Sequence, residues 1–436
     1  MPTQLFYYLD LARRSFLRHR VLTALMVVAI ALGIGTSMTT LTVLHVLSRD
    51  PLPGKSERVY AVQLDAAGRE NYRPGEEPDP QLTRYDAEAL LAARRAARQA
   101  LMSGGAGSIE SELAERQPLL VDARYTSADF FVLFDVPFAR GGPWSAADDA
   151  ARARVAVITK ELEEKLFGAG NGMGRSVRLD EHDLLVVGVL EHWRPTPHFY
   201  DPTTGAYGQV EQVFLPFSTA LELGLRPSGM LRCWDDAGAD TLRLGAPCSW
   251  VQFWVQLDTS ERAVAYRDFL VSYSDEQRGA GRFARPPNVR LRNVMEWLDF
   301  QHVVPSDVRL QAWLAFAFLA VCLLDTVGLL LAKFLRRSQE IGVRRALGAS
   351  RRAIIAQFLV EAGSVGLVGG VLGLGLAWLG LWAVRQQPVE YARLAELDLT
   401  MLGTSLALTL ASSLLAGILP AWRAGQVAPA LQLKSQ

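Results

Sequence analysis

Gln339-Glu340-Ile341-Gly342-Val343-Arg344-Arg345-Ala346-Leu347-Gly348-Ala349-Ser350-Arg351-Arg352 lies wedged between two long apolar runs. It follows Lys333-Phe334-Leu335-Arg336-Arg337, with Ser338 between, and ends where Ala353-Ile354-Ile355-Ala356-Gln357-Phe358-Leu359-Val360-Glu361-Ala362 enters the next run. A short, strongly basic, helix-competent segment joining two membrane spans belongs on the cytoplasmic face. It is too short to be a domain and too patterned to be a bare linker.

Working outward, half of the 436 residues are hydrophobic, a share that would also suit a large soluble enzyme. Their distribution decides the matter. Four apolar runs, Val21–Leu47, Leu310–Leu335, Ala353–Val384 and Met401–Ala421, each reach the roughly 20 residues that cross a bilayer. The expected division is 1–20 a cytoplasmic interfacial helix, 21–47 the first transmembrane helix, 48–309 a large external domain and 310–335 the second transmembrane helix. The basic loop 336–352 follows, then the third span 353–384, an external loop 385–400, the fourth span 401–421 and a cytoplasmic tail 422–436. The first run is far longer than the roughly 7–15 residues of a signal-peptide core and lacks an A-x-A-like site before Pro51, so it is expected to stay as an anchor. The stretch before it, from Phe6 to Leu17, mixes aromatics with arginines, as does a helix lying along the membrane lipid of the inner leaflet.

A formal net charge of zero hides an asymmetry. Segments 1–20, 333–352 and 422–436 together hold 13 basic residues against Asp10 and Glu340, leaving the rest of the chain correspondingly acidic. The positive-inside rule therefore places both termini and the basic loop in the cytoplasm and the large insert outside. Cys233 and Cys248 both fall in that insert, where oxidation is possible. They are either a disulfide pair or two unrelated buried thiols. Cys322 falls inside the second span and reads as packing.

Within the insert, 58–64 and 251–257 alternate as strands do, 155–159 is a short buried strand and 160–167 the helix after it. Segments 86–102 and 261–274 read as helices, and the mixture indicates an α+β domain. Trp250 and Trp254 lie on the strand face opposite Val251, Phe253, Val255 and Leu257. They offer either an aromatic binding surface or a second buried face. No G-x-x-x-x-G-K-[ST] occurs, and the Gly-rich run 168–175 lacks the Lys-Ser/Thr that would cradle phosphate. Six histidines and no Cys/His cluster at ligand spacing argue against a metal site. No cofactor is expected on this chain, no catalytic residue stands out, and it is not expected to be an enzyme.

The basic loop resembles the EIGVRRALGASR signature of the FtsX-like permease family, the membrane subunits of MacB-type ABC transporters. Further likeness runs through Ala128–Phe138, Val155–Thr159, Lys165–Gly168, Met173–Leu179, Val186–Val189 and Val213–Ser218, which follow the order of a MacB-like periplasmic core domain. It thins across Arg226–Ser249. The fold class implied is an α-helical membrane protein with four transmembrane helices and a large α+β periplasmic domain inserted between the first and second, in the cell inner membrane. The resemblance implies that Glu340, Ile341, Arg344, Arg345, Ala346, Leu347, Gly348, Ala349 and Arg351 touch an ATPase. That ATPase, with its ATP and Mg, is expected as a separate ABC subunit, present as a dimer. A second permease copy or homologous permease is implied too, with a periplasmic adaptor and an outer-membrane duct, and no nucleic acid. The mechanism implied is mechanotransmission, in which ATPase closure drives movements of the periplasmic domain for efflux of a periplasmic substrate. A lipoprotein-releasing permease and a regulatory permease that activates a cell-wall hydrolase or sensor kinase are the alternatives.

Two intramembrane ionisable residues are functional candidates by position alone. Asp325 stands where the family commonly has Asn, and is either a hydrogen-bonded substitute at a subunit interface or a functional group. Glu361 fits the family's "QFLxEA" pattern and is expected to pair with a loop arginine. Gly366/Gly370 and Gly369/Gly373, at four-residue spacing, permit close helix approach, either between subunits or among the four spans.

Overall fold

The computed structural model describes residues 2–18, 20–70, 72–110, 118–208, 210–388 and 390–426. It divides into two compact units, one made of the chain before Arg49 and after Val303, the other of Arg49–Val303. The chain opens with α1 (Pro2–Arg18), which carries exposed Arg13 and Arg14, and the predominantly apolar α2 (Arg20–Leu47).

The unit Arg49–Val303 is a mixed sheet flanked by helices. After β1 (Val59–Leu64) and β2 (Leu82–Thr83), the Thr83 side chain accepts the Asp86 N–H and so starts α3 (Arg84–Ala93). That helix ends at Arg94, which adopts a left-handed backbone (φ 48°), and the chain runs on into β3 (Arg98–Ile109) and β4 (Leu119–Thr126). The helix expected over 86–102 is thus corrected to a helix and the start of a twelve-residue strand. Arg98–Met102 suits either state locally, but it pairs with the strand 248–256 while the rest of β3 pairs with β4. Neighbouring strands override local preference.

Next come α4 (Phe130–Leu133), β5 (Phe138–Gly141) and α5 (Ala146–Ala151), whose first turn is closed by a Ser145/Asp148 capping box. β6 (Val155–Thr159) feeds α6 (Lys160–Phe167), and β7 (Ser176–Leu179) forms a hairpin with β8 (His182–Leu190). β9 (Val213–Pro216) leads into α7 (Phe217–Glu222), β10 (Pro227–Ser228), β11 (Arg232–Cys233) and β12 (Cys248–Gln256). The unit closes with α8 (Ser260–Gly279), β13 (Val289–Asn293) and α9 (Val294–Phe300). The main strand order is β13-β1-β12-β3-β4-β9-β6-β8-β5. Most pairs are antiparallel, but β4/β9 and β6/β8 are parallel.

Cys233 and Cys248 are bridged, tying β11 to β12. Trp250 and Trp254 are 3% and 1% exposed, so their face of β12 is a second core and no binding surface. Trp250 stacks on Phe217, and the Trp254 Nε1–H donates to the Tyr200 carbonyl. Beside them the fully buried Arg124 guanidinium pairs with Asp201 (2.7 Å) and Glu211, and the Tyr200 hydroxyl donates to Glu211 (2.6 Å).

The other unit is completed by α10 (Ser306–Arg336), α11 (Ser338–Ala346), α12 (Arg351–Arg385) and α13 (Leu399–Gly425). Among the described residues four helices, α2, α10, α12 and α13, are long and apolar enough to cross a membrane. α2 packs against both α10 and α12, α12 also against α13, and α1 against α12. Gly366, Gly369, Gly370 and Gly373 of α12 serve this intrachain packing. A Cβ at Gly366 or Gly370 would meet Ser413 or Thr409 of α13, and one at Gly369 or Gly373 would meet Ile30 or Ala31 and Ile34 of α2.

Candidate coupling site at the basic loop

The loop between α10 and α12 is itself helical. α11 is anchored on one side by Ile341, 3% exposed, which joins Phe334, Ile354 and Phe358 in the apolar core of the spans. The same periodicity turns the other side outward. Val343 is 54% exposed, Leu347 is 83% exposed, and Ala346 and Gly348 are exposed beside them. Gly348 takes a positive φ of 99°, a backbone that suits glycine and turns the chain back toward the next helix. Ser350 then caps α12 by accepting the Ala353 N–H at 3.2 Å.

The polar face of α11 is spent on the bundle. Glu340 accepts from Arg337 (3.2 Å) and Arg344 (2.7 Å), and Arg344 also donates to Gln357 of α12 (2.9 Å). Partial burial works to raise the Glu340 carboxyl, but its hydrogen bond with Arg337 and the charges of Arg337 and Arg344 outweigh it and hold the group below the usual range. Deeper in, Glu361 is a hub, 2% exposed. It accepts from Lys333 Nζ (2.7 Å), from Arg337 (3.3 Å) and from the Ser15 hydroxyl. Arg337 reaches Ser15 as well (3.3 Å), and the Lys333 ammonium lies 5.4 Å from the Phe16 ring centroid. One carboxylate therefore ties α1, α10 and α12 together, and Arg337 carries the tie into α11.

The residues singled out in the sequence separate into two groups. Ala346, Leu347, Gly348 and Arg351 are exposed, whereas Glu340, Arg344 and Ile341 hold the helix in place. Arg345 and Ala349 are half-buried, the latter against the apolar core. Asp325 lies elsewhere, exposed on α10, with no hydrogen bond or ion pair among the described residues. Sequence reading gave Glu361 a loop arginine as its partner but missed Lys333, Ser15 and the exposed Val343. Lys333 had a signal: a lone cation and a lone anion sit toward the same end of two consecutive, oppositely running spans. Among the described residues no group of three or more His, Cys, Asp or Glu is placed to hold a metal.

Comparison with known proteins agrees with this architecture. Residues 23–268 match the family model of the MacB-like periplasmic core domain, and residues 312–429 that of the FtsX-like permease C-terminal region. The macrolide export ATP-binding/permease protein MacB of Azoarcus sp. is 27% identical over 72% of this chain and 42% of its own length. The pyoverdine export ATP-binding/permease protein PvdT of Pseudomonas fluorescens is 23% identical over 96% of this chain and 58% of its own. The chain thus spans about half the length of the curated relatives it matches. The crystal structure of the periplasmic region of MacB from Actinobacillus actinomycetemcomitans covers 56% of this chain and 92% of its own at 12% identity, with a TM-score of 0.36, an overlap too loose to add weight. With the periplasmic-core model matching more than half of its residues and the permease model covering the later spans, the chain belongs to the MacB-like, FtsX-type permease family, multi-pass inner-membrane proteins with a large periplasmic domain between the first and second spans.

Proposed function

We propose that this chain is the permease subunit of a MacB-like ABC exporter and that α11 is its docking element for a partner ATPase subunit. The observation that carries the reading is Leu347, 83% exposed at the end of a helix whose opposite face is buried through Ile341. A large apolar side chain held out on a braced helix is poised to enter a pocket on another protein, as interface anchors do. The brace supplies the mechanics. ATP-driven closure of a pair of cytoplasmic ATPase subunits pushes on α11, and the Glu361 and Glu340 ion pairs pass the push to α1, α10 and α12. α2 and α10, covalently continuous with the periplasmic domain, carry the movement outward, and a second permease copy completes the assembly. Substrate enters from the periplasm and leaves through a periplasmic adaptor and outer-membrane duct. The two relatives bear different cargoes in their names, a macrolide and pyoverdine, so the coupling, not the cargo, is the common element.

Replacing Leu347 by Asp tests the docking. The substitution puts an unpaired charge into a desolvated contact, a fault of about 2–5 kcal/mol, which is more than roughly tenfold in affinity. The full-length variant is expected to lose transport and copurification of the ATPase while its periplasmic domain stays folded. Undiminished ATPase association in Leu347→Asp would show that α11 is not the docking element.

A further inference from the structure

The periplasmic domain contains a cleft of about 810 Å³ that the coupling mechanism does not use. One wall is α3 with the turn after it, the other is α5 with α7, and the floor is the start of β3 and the turn Ser127–Asp129. Its size falls within the several-hundred to roughly 1,000 Å³ typical of small-molecule sites. The apolar lining comes from Leu91 and Ala92 on one side, Ala150 and Leu221 on the other, and Leu101 and Phe217 below.

Polar side chains of the floor and of the α5 wall are already engaged. Gln99 donates to the carbonyls of Leu90 (3.3 Å) and Leu91 (3.1 Å) and accepts the Ala96 N–H. The Ser127 hydroxyl accepts the Leu101 N–H, and Asp149 accepts from the Ala128 N–H and the Trp144 indole, each at 2.7 Å. Burying an apolar body against this floor therefore strands none of these groups. Around the rim most charges are matched: Arg84 with Glu88 (2.6 Å), Arg152 with Glu222 (3.2 Å) and Arg98 with Asp129 (2.9 Å). Arg94 differs. It lines the cleft, is exposed, and makes no hydrogen bond or ion pair among the described residues. Its left-handed backbone at the end of α3 fixes where the side chain leaves the wall.

We infer that this cleft binds a small amphipathic anion, its apolar body between α3 and the α5–α7 wall and its acidic group at Arg94. Alanines on both walls and the engaged polar groups of the floor make the site read shape and apolarity, with Arg94 setting orientation. This binding is independent of α11, so it stands or falls apart from ATPase docking.

The test uses the full chain in nanodiscs of neutral phosphatidylcholine, with anilinonaphthalenesulfonate as probe. Cysteine is introduced singly as Ala92→Cys and Ala150→Cys, one on each wall, and as Ala280→Cys at the end of α8 for control. Cys233 and Cys248 are bridged and Cys322 is buried, so the new thiols report. At probe concentrations tenfold above its Kd, maleimide modification at 92 and 150 is expected to slow roughly tenfold, with position 280 unaffected. Adding Arg94→Glu should raise the half-protecting probe concentration on the order of fivefold, the scale of an exposed charge pair. Neutral phenylnaphthylamine should protect equally with or without that change. Absence of protection at both walls, or equal slowing at 280, overturns the site. Protection unmoved by Arg94→Glu overturns the anion.

Discussion

Replacing Glu361 by Leu removes the carboxylate on which three helices converge. Lys333 is fully buried and sits 2.7 Å from that carboxylate. Without it the ammonium keeps, among the described residues, the Thr23 hydroxyl at 3.5 Å and the Phe16 ring, both already present in the native state. Breaking a buried pair by removing one partner costs about 3–5 kcal/mol. Arg337 retains Glu340, so the low end of that range applies. About 3 kcal/mol lowers the midpoint of a unit of this size by roughly 6–12 °C. The assay is thermal unfolding of the full-length protein in nanodiscs, compared with the double variant Lys333→Met/Glu361→Leu. Because an apolar pair of similar volume replaces a buried ion pair at little cost, the double variant should recover most of the loss, a coupling that a double-mutant cycle measures directly. Since Leu347 is untouched, ATPase association should persist while transport fails. A single variant as stable as the native protein, or a double variant no better than the single, would refute this account of the hub.

Gly370→Val should destabilise the spans by about 1–3 kcal/mol, since a Cβ there runs into the Thr409 methyl, whereas Gly375→Ala, with nothing within 4 Å, should be neutral in the same melt. Cys248→Ser opens a bridge of 15-residue separation and should cost about 3 kcal/mol; in the native protein, mass spectrometry should show alkylation at Cys233 and Cys248 only after reduction. Burial, working against hydrogen bonds from Ala128 and Trp144, lifts the Asp149 carboxyl to about 6. The folded domain then holds a proton the unfolded chain releases, so this residue's contribution to stability falls as pH rises from the ordinary Asp range to about 6. Asp149→Asn should remove that part of the stability–pH slope, and an unchanged slope in denaturant titrations would contradict it.

Local pattern settled much of this protein. Four apolar runs and the bias of thirteen basic residues on three short segments sufficed for the membrane fold and its orientation, because bilayer thickness and charge act on composition alone. The buried strand Val155–Thr159 and the helix to Phe167 were legible because the switch from a short apolar run to a helical pattern is local, and in the structure Thr159 caps that helix by accepting the Leu162 N–H. What tertiary structure decided depends on neighbours distant in sequence. Arg98–Met102, which suits either state locally, became strand because it pairs with β12 while β3 continues alongside β4. Trp250 and Trp254 became core because a second layer covers their face, and Gly366, Gly370 and Gly369 serve intrachain packing because Ser413, Thr409 and Ile30 stand against them. The motif marked the basic loop as a unit, but which of its residues brace and which protrude was set by the bundle. Ile341 turns in and Leu347 turns out only once α11 lies on Phe334 and Phe358, and Glu361 finds Lys333 only when two spans have packed. An ion pair between helices is a property of their placement in space, and one sequence carries no record of that placement beyond the two charges themselves.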